Sequence, residues 1–77
     1  MYKELVEHIV RSLVDNPDDV AVSEFEEPSE TVIELSVAEA DMGRVIGKGG
    51  RVVNSIRTIV ETLASKRGDK VSLEIIS

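Results

Sequence analysis

The chain has 77 residues, a formal net charge of −6 and no cysteine. A chain of this size buries only about 60 % of its unfolded surface, which leaves room for one small core and excludes a multidomain enzyme. The lack of cysteine excludes disulfides and thiolate metal sites and suits a reducing interior. The first five residues lack the basic start and apolar run of a signal peptide, and no apolar stretch approaches the roughly 20 residues that cross a bilayer. We therefore expect one domain over residues 1–77, in the cytoplasm and without a membrane partner.

Charge is distributed unevenly along the chain. Residues 1–41 carry two basic residues against twelve acidic ones, a net charge of −10, whereas residues 42–77 carry seven basic residues against three acidic ones, a net charge of +4. The total charge argues against a nucleic-acid partner, because phosphate contacts need cations at the interface. The basic second half leaves such a partner open, and the acidic first half can simply face solvent.

The first forty residues predict a helix and then a hairpin of strands. Apolar side chains recur at spacings of one and three, which predicts an amphipathic helix over residues 2–14 that stops before Pro17. A short strand follows over residues 20–25, and residues 26–30 form a turn that contains a proline. The second strand alternates more clearly, and its buried face is formed by Ile33, Leu35 and Val37.

The second half predicts two helices around a glycine turn, followed by a strand. Asp41 is a suitable N-cap for a very short helix over residues 42–46. The glycines of Gly47-Lys48-Gly49-Gly50 permit positive φ and a tight turn. A long amphipathic helix begins near Arg51 and is closed by Lys66, Arg67 and Gly68. The last strand has Val71, Leu73 and Ile75 on one face and Ser72, Glu74 and Ser77 on the other.

The predicted order is therefore helix, strand, strand, short helix, helix, strand. We expect an α+β fold in which a three-stranded sheet buries its apolar face under three helices. A helical crossover, not a tight turn, joins the second and third strands, so these two strands are expected to run parallel.

The glycine turn differs from two familiar phosphate-binding motifs. The spacing from Gly43 to Gly47 is one residue too short for a P-loop, and Gly49 stands where a P-loop needs its magnesium-binding hydroxyl. A dinucleotide fingerprint would need glycine in place of Val52 and a strand that runs directly into the turn.

What remains is a G-x-x-G sequence from Gly47 to Gly50 between two helices. The apolar residues on either side anchor both helices in the core and leave the turn in solvent. Glycines let a phosphate approach closely, the N–H groups at the start of the second helix point toward it, and cations add attraction. The cations in this segment are Arg44, Lys48 and Arg51. The pattern indicates contact with a nucleic-acid backbone.

The segment Val45-Ile46-Gly47-Lys48-Gly49-Gly50-Arg51-Val52-Val53-Asn54-Ser55-Ile56-Arg57 closely resembles the core motif of the KH domain, a module that binds single-stranded nucleic acid. The element order is similar to the prokaryotic, type II arrangement of that fold, α-β-β-α-α-β. Over nearly all 77 residues the chain resembles the KhpA family of small bacterial single-KH RNA-binding proteins.

The resemblance implies a site for RNA. The turn from Gly47 to Gly50 would clamp the backbone of about four nucleotides. The bases would lie in an apolar groove formed by Val45, Ile46, Val53 and either Ile33 or Leu35. Polar contacts at the edge of the groove would come from Asn54 and Arg57. An aromatic stacking platform is absent, because the only aromatic residues are Tyr2 and Phe25.

Several of these residues have a second interpretation. Arg57 can instead pair with Glu61, four residues on, and Asn54 can simply face solvent. The apolar residues of the motif can belong to the core, namely Val45, Ile46, Val53 and Ile56. Lys66, Arg67 and Lys70 are expected to cap the helix and start the strand.

No catalytic or cofactor-binding arrangement is predicted, and no metal site. The single histidine, His8, has no evident acid partner, and the paired carboxylates lie in loops without a cleft to shift their pKa. By resemblance, the family implies homodimers, a larger KH partner of the KhpB/Jag type, and a role in RNA folding or expression, cell-envelope growth and cell length.

Two other functions stay open. The domain can be a protein-interaction adapter that dimerises or binds a larger KH partner, with RNA contact secondary, which the net charge of −6 favours. It can also bind single-stranded DNA, because a G-x-x-G clamp contacts phosphates and does not read the 2′-hydroxyl directly.

Overall fold

The computed structural model describes residues 1–76, so Ser77, assigned above to a face of the last strand, lies outside them. Within these residues the helices are α1 (Tyr2–Leu13), α2 (Met42–Ile46) and α3 (Arg51–Lys66). The strands are β1 (Ala21–Glu26), β2 (Thr31–Ser36) and β3 (Val71–Ile75). Short 3₁₀ turns cover Pro17–Asp19, Glu39–Asp41 and Lys48–Gly50. The predicted order of helices and strands is confirmed.

The boundaries differ from the prediction by one or two residues. Helix α1 ends at Leu13 because Val14 has an extended backbone, with φ −98° and ψ 160°. Strand β1 begins at Ala21, one residue after the predicted start. Strand β2 begins at Thr31, and it ends before Val37, which is nevertheless buried.

The sheet has the order β1-β2-β3. Strands β1 and β2 are antiparallel, with Val22 opposite Leu35, and this confirms the hairpin. Strands β2 and β3 are parallel, with Ile33 opposite Leu73, as the helical crossover predicted. The glycine turn lies within this crossover, between α2 and α3.

The core lies between the sheet and the helices. Ile33 and Leu35 in the middle strand have no exposed surface. Helix α1 packs against β1, α3 packs against β3, and α2 packs against α3. The buried residues of α3 are Val53, Ile56, Val60 and Ala64, which repeat at helical spacing. No helix within residues 1–76 is long and apolar enough to span a membrane.

Asp41 does not cap α2, and this part of the prediction is wrong. It precedes α2, but its backbone is already helical and its carboxylate makes no cap hydrogen bond. The side chain is 1 % exposed. Its two oxygens instead accept hydrogen bonds, all of 3.1 Å, from the N–H of Asp15, the N–H of Asn16 and the Asn16 side-chain amide. Asp41 therefore fastens the segment after α1 to the start of α2.

The start of α1 is also held by residues distant in the chain. The Glu24 carboxylate on β1 accepts the N–H of Lys3 at 2.9 Å, which satisfies one free donor of the first helical turn. The Tyr2 hydroxyl donates to Asp69 at 2.7 Å, in the turn before β3. These contacts fix α1 across the sheet, with its N-terminal end near the C-terminal end of α3.

Candidate nucleic-acid interface

The glycine turn joins α2 to α3 through three glycines with positive φ. Gly47 has φ 75°, Gly49 has φ 66° and Gly50 has φ 79°. The N–H of Gly50 donates to the Gly47 carbonyl at 3.1 Å, and the N–H of Arg51 donates to the Lys48 carbonyl. The N–H groups of Lys48 and Gly49 lie outside the hydrogen bonds that close the turn. Neither N–H donates to another group within residues 1–76, so both are free donors next to the start of α3.

The three glycines have different steric surroundings. A Cβ at Gly47 would lie 2.5 Å from Val52 Cγ2 and 2.8 Å from the Val52 nitrogen, so only glycine fits there. A Cβ at Gly50 would meet the Asn54 amide nitrogen at 3.4 Å. Around Gly49 nothing lies within 4 Å. Gly47 thus packs the turn onto α3, whereas Gly49 presents bare backbone to an incoming group.

Lys48 and Arg51 are exposed on either side of this bare backbone. Among residues 1–76, no carboxylate lies within 4 Å of either cation. Both cations are therefore available to an anion at the turn. The prediction placed them there from sequence spacing, and the structure brings them together with the free N–H groups.

Arg44 is the third predicted cation, and it is not free. Its Nη2 lies 3.5 Å from Asp15 Oδ2, a contact between side chains that are 58 % and 75 % exposed. Asp15 was not among the predicted site residues. The sequence around Arg44 could not indicate this contact, because Asp15 is 29 residues earlier and reaches Arg44 only since Asp41 holds the segment after α1.

The side chain of Arg57 extends from α3 to β3 and forms no ion pair with Glu61. Its Nε donates to the Leu73 carbonyl oxygen at 3.0 Å, and its Nη1 donates to Asn54 Oδ1 at 3.0 Å. Asn54 and Arg57 are thus joined by a hydrogen bond. The Asn54 amide nitrogen also lies close to Gly50, so this pair connects the glycine turn to the edge strand.

Most of the apolar residues predicted to line the groove are buried. Val45, Ile33 and Leu35 are 0 % exposed and Val53 is 5 % exposed, so these four side chains are core residues, which for Val45 and Val53 is the second of the two interpretations given above. They lie beneath the site and hold α2, α3 and β2 together. Ile46 is half-buried and is the one predicted apolar contact that keeps accessible surface.

A shallow depression on the outer side of the turn and α3 extends beyond the predicted set. Its new members are Ser55, Thr58 and Ile59, beside Lys48, Gly49, Arg51 and Asn54. The Ser55 and Thr58 hydroxyls donate to the carbonyls of Arg51 and Asn54, so their oxygens remain acceptors. Within residues 1–76, no group of three or more His, Cys, Asp or Glu side chains is placed to hold a metal ion.

The mixed three-stranded sheet, the helices and the G-x-x-G turn between α2 and α3 together define a KH domain of the type II arrangement. A family model described as the KH domain of KhpA/KhpB matches residues 3–75. The chain therefore belongs to this family, which is non-enzymatic. The comparison confirms the resemblance noted from the motif.

Curated relatives match along nearly their whole length. The chain is 51 % identical over 74 residues to the RNA-binding protein KhpA of Clostridium perfringens, covering 96 % of this chain and 99 % of that protein. It is 47 % identical over 74 residues to the RNA-binding protein KhpA of Listeria monocytogenes, covering 96 % of this chain and 97 % of that protein.

Solved structures of a larger protein, Era, contain a similar fold. The crystal structure of Era in complex with MgGDPNP and nucleotides 1506–1542 of 16S ribosomal RNA matches with a TM-score of 0.66 and 27 % identity. That match covers 95 % of this chain and 28 % of the Era chain. The crystal structure of a single-residue variant of Aquifex aeolicus Era bound to GDP and AlF4⁻ gives a TM-score of 0.59 and 26 % identity, covering 97 % of this chain and 30 % of that one.

Proposed function

We propose that the chain is an RNA-binding protein that holds short single-stranded RNA at the turn from Gly47 to Gly50, as a single KH domain over residues 1–77 in the cytoplasm. The observation that carries the proposal is the unobstructed backbone at Gly49 between two cations, Lys48 and Arg51, that have no carboxylate within 4 Å among residues 1–76. Support also comes from the relatives named RNA-binding protein KhpA and from the similarity to Era solved with ribosomal RNA.

The chemistry of the turn suits a phosphodiester. The free N–H groups of Lys48 and Gly49 can donate to phosphate oxygens, and the positive end of α3 adds attraction. The Lys48 and Arg51 side chains supply the formal charge that a phosphate needs. A backbone contact of this kind positions the strand and carries little sequence information.

Bases would lie next to the turn, against side chains of α2 and α3 that keep accessible surface. Ile46 offers partly exposed apolar surface, and the joined side chains of Asn54 and Arg57 offer polar contacts. The two aromatic residues lie outside the G-x-x-G motif: Tyr2 is buried in α1 and Phe25 is on β1. Base contacts are therefore aliphatic and polar, without a stacking platform. We expect the site to discriminate weakly among RNA sequences, and single-stranded DNA to bind no more tightly than RNA of the same sequence.

The cellular role extends this proposal. The family suggests an RNA chaperone or post-transcriptional regulator that influences cell-envelope growth and cell length. We propose that the domain works as a homodimer and with a larger KH protein of the KhpB/Jag type. Two linked KH domains would raise the affinity for one RNA without new contacts at either site.

The experiment is a fluorescence-anisotropy titration of a labelled RNA of mixed sequence, about 12 nucleotides long, at several salt concentrations. The test variant is Lys48→Asp/Gly49→Asp, and the matched control is Ser65→Asp/Lys66→Asp, which has the same charge change at the far, exposed end of α3. About three phosphate contacts predict a slope near −2 in a log–log plot of affinity against salt.

We expect the test variant to lose binding while it stays folded by circular dichroism, and the control to retain most of the wild-type affinity. Equal loss in both variants would show that only total charge matters and would contradict a clamp at the turn. Titration with DNA of the same sequence compares the two nucleic acids.

The second candidate is an adapter whose main ligand is another protein, which the net charge of −6 favours. On that hypothesis Lys48→Asp/Gly49→Asp leaves both partner binding and the cellular phenotype intact. Loss of the phenotype with partner binding preserved would reject the adapter and favour the RNA clamp.

A further inference from the structure

Arg44, a predicted RNA-binding cation near the glycine turn, forms an ion pair with Asp15, which follows the C-terminal end of α1. We propose that Asp15 sets the affinity of the site by holding Arg44 in an internal ion pair that an RNA phosphate must displace. This inference rests on the proposed RNA-binding function, because it assigns Arg44 to the interface.

Hydrogen bonds to the buried Asp41 fix the position of the Asp15 backbone. The N–H of Asp15 donates to Asp41 Oδ1, and Asn16 makes two hydrogen bonds to Asp41 Oδ2. Asp41 is 1 % exposed, so this anchor lies inside the protein while the Asp15 side chain points out into solvent. The backbone at Asp15 therefore has a defined location next to α2.

The same anchor brings the carboxylate to Arg44. Asp41 and Arg44 are three residues apart at the start of α2, so they lie on the same side of the helix. A segment fastened to Asp41 must then pass close to Arg44. The result is the contact of 3.5 Å between Asp15 Oδ2 and Arg44 Nη2.

The pair is suited to exchange with a phosphate. The two side chains are 75 % and 58 % exposed, so solvent screens their attraction and either can leave without unfolding the protein. In the free protein the carboxylate neutralises Arg44. An RNA phosphate must displace this carboxylate to reach Arg44, and the loss of the ion pair weakens RNA binding.

A neighbouring residue provides a matched control. Asp18 lies in the 3₁₀ turn Pro17–Asp19, is exposed, and forms no ion pair with the residues that the structure describes. Asp18→Asn changes the net charge by the same amount as Asp15→Asn without touching Arg44. Asp15→Asn also keeps the backbone N–H that Asp41 accepts.

The test measures the affinity for the same short RNA of wild type, Asp15→Asn, Asp18→Asn, Arg44→Gln and the double variant Asp15→Asn/Arg44→Gln. We expect Asp15→Asn to bind about two- to five-fold more tightly than Asp18→Asn at low salt, the range of an exposed ion pair. Its salt slope should steepen by up to about 0.7, because one more phosphate contact is made in full. In the Arg44→Gln background, Asp15→Asn should raise the RNA affinity by no more than Asp18→Asn raises that of the wild type.

Three results would overturn the inference. One is equal affinity of Asp15→Asn and Asp18→Asn, and another is a gain from Asp15→Asn that persists in the Arg44→Gln background. In both cases the clamp still stands if Lys48→Asp/Gly49→Asp has lost binding, so this failure is separate from that of the proposed function. The third is no RNA binding by any variant, which rejects the clamp and this inference together.

Discussion

Arg57 Nε donates to the backbone carbonyl oxygen of Leu73 at 3.0 Å, so a side chain of α3 covers part of the edge strand β3. Thr31 donates to the Lys70 carbonyl and Ile76 donates to the Leu35 carbonyl, so the backbone groups of Lys70 and Ile76 face β2. Because backbone groups alternate along a strand, the Leu73 carbonyl points to the open edge. Arg57 thus satisfies an edge acceptor next to the predicted groove.

We expect Arg57→Ala to lower the free energy of unfolding by about 1–2 kcal/mol, because a hydrogen bond from a charged donor to a half-buried carbonyl is lost. Arg57→Lys should recover only part of this loss, since an ammonium group lacks the planar fork that joins Leu73 and Asn54. Urea unfolding followed by circular dichroism measures both.

The control is Arg51→Ala, at the exposed start of the same helix, which should change the free energy of unfolding by less than about 0.5 kcal/mol. If Arg57→Ala is no more destabilising than Arg51→Ala, then the contact with Leu73 contributes nothing to stability.

The two glycines of the turn should differ when replaced by alanine. Gly47→Ala places a Cβ 2.5 Å from Val52 Cγ2 at φ 75°, so we expect a loss of more than about 2 kcal/mol in the free energy of unfolding. Gly49→Ala meets no atom within 4 Å, and its positive φ should cost only about 1 kcal/mol.

Thermal unfolding of the two variants side by side measures this difference. Equal loss from both substitutions would mean that the close approach of Gly47 to Val52 relaxes freely, contrary to the packing of the turn on α3.

The buried Asp41 carboxylate should make stability depend on acid pH. Burial by itself would raise its pKa, but the Asn16 side chain, the N–H groups of Asp15 and Asn16, and nearby Arg44 together lower the pKa below its ordinary value. A lowered pKa means that the stabilisation is present above the unfolded-state value of about 4 and is lost as the pH falls through the folded-state value.

We expect Asp41→Asn to be less stable than wild type at pH 7, with the difference shrinking as the pH falls below about 4. Urea unfolding of both proteins from neutral pH down to about pH 2.5 gives the two curves. A difference that stays constant over this range would show that the ionised form of Asp41 has no special role.

Much of the fold was predictable because its signals are local. The apolar spacing of α1 and α3 and the alternation in β2 and β3 depend only on which neighbours share a face, so the element order was confirmed. The glycine turn was found for the same reason, since its three glycines and two cations are neighbours in the sequence Gly47–Arg51.

The prediction was wrong or left two answers open where a side chain has two uses that differ only in their distant partners. Asp41 has the sequence context of an N-cap, yet its carboxylate binds a segment 25 residues earlier. Val45 and Val53 had two interpretations, RNA contact from the motif or core packing, and a small domain with few large apolar residues needs them in its core. Arg57 had a charged neighbour one turn away and bonded instead to a carbonyl 16 residues later.

The helices and strands, the G-x-x-G turn and its cations could be predicted because each depends on spacing within a few residues. Which cations are free, which apolar residues keep a surface, and which acid lies beside Arg44 could be seen only in the folded protein. Those properties depend on contacts between elements that are far apart in the chain, where burial and the satisfaction of buried polar groups outweigh local preference.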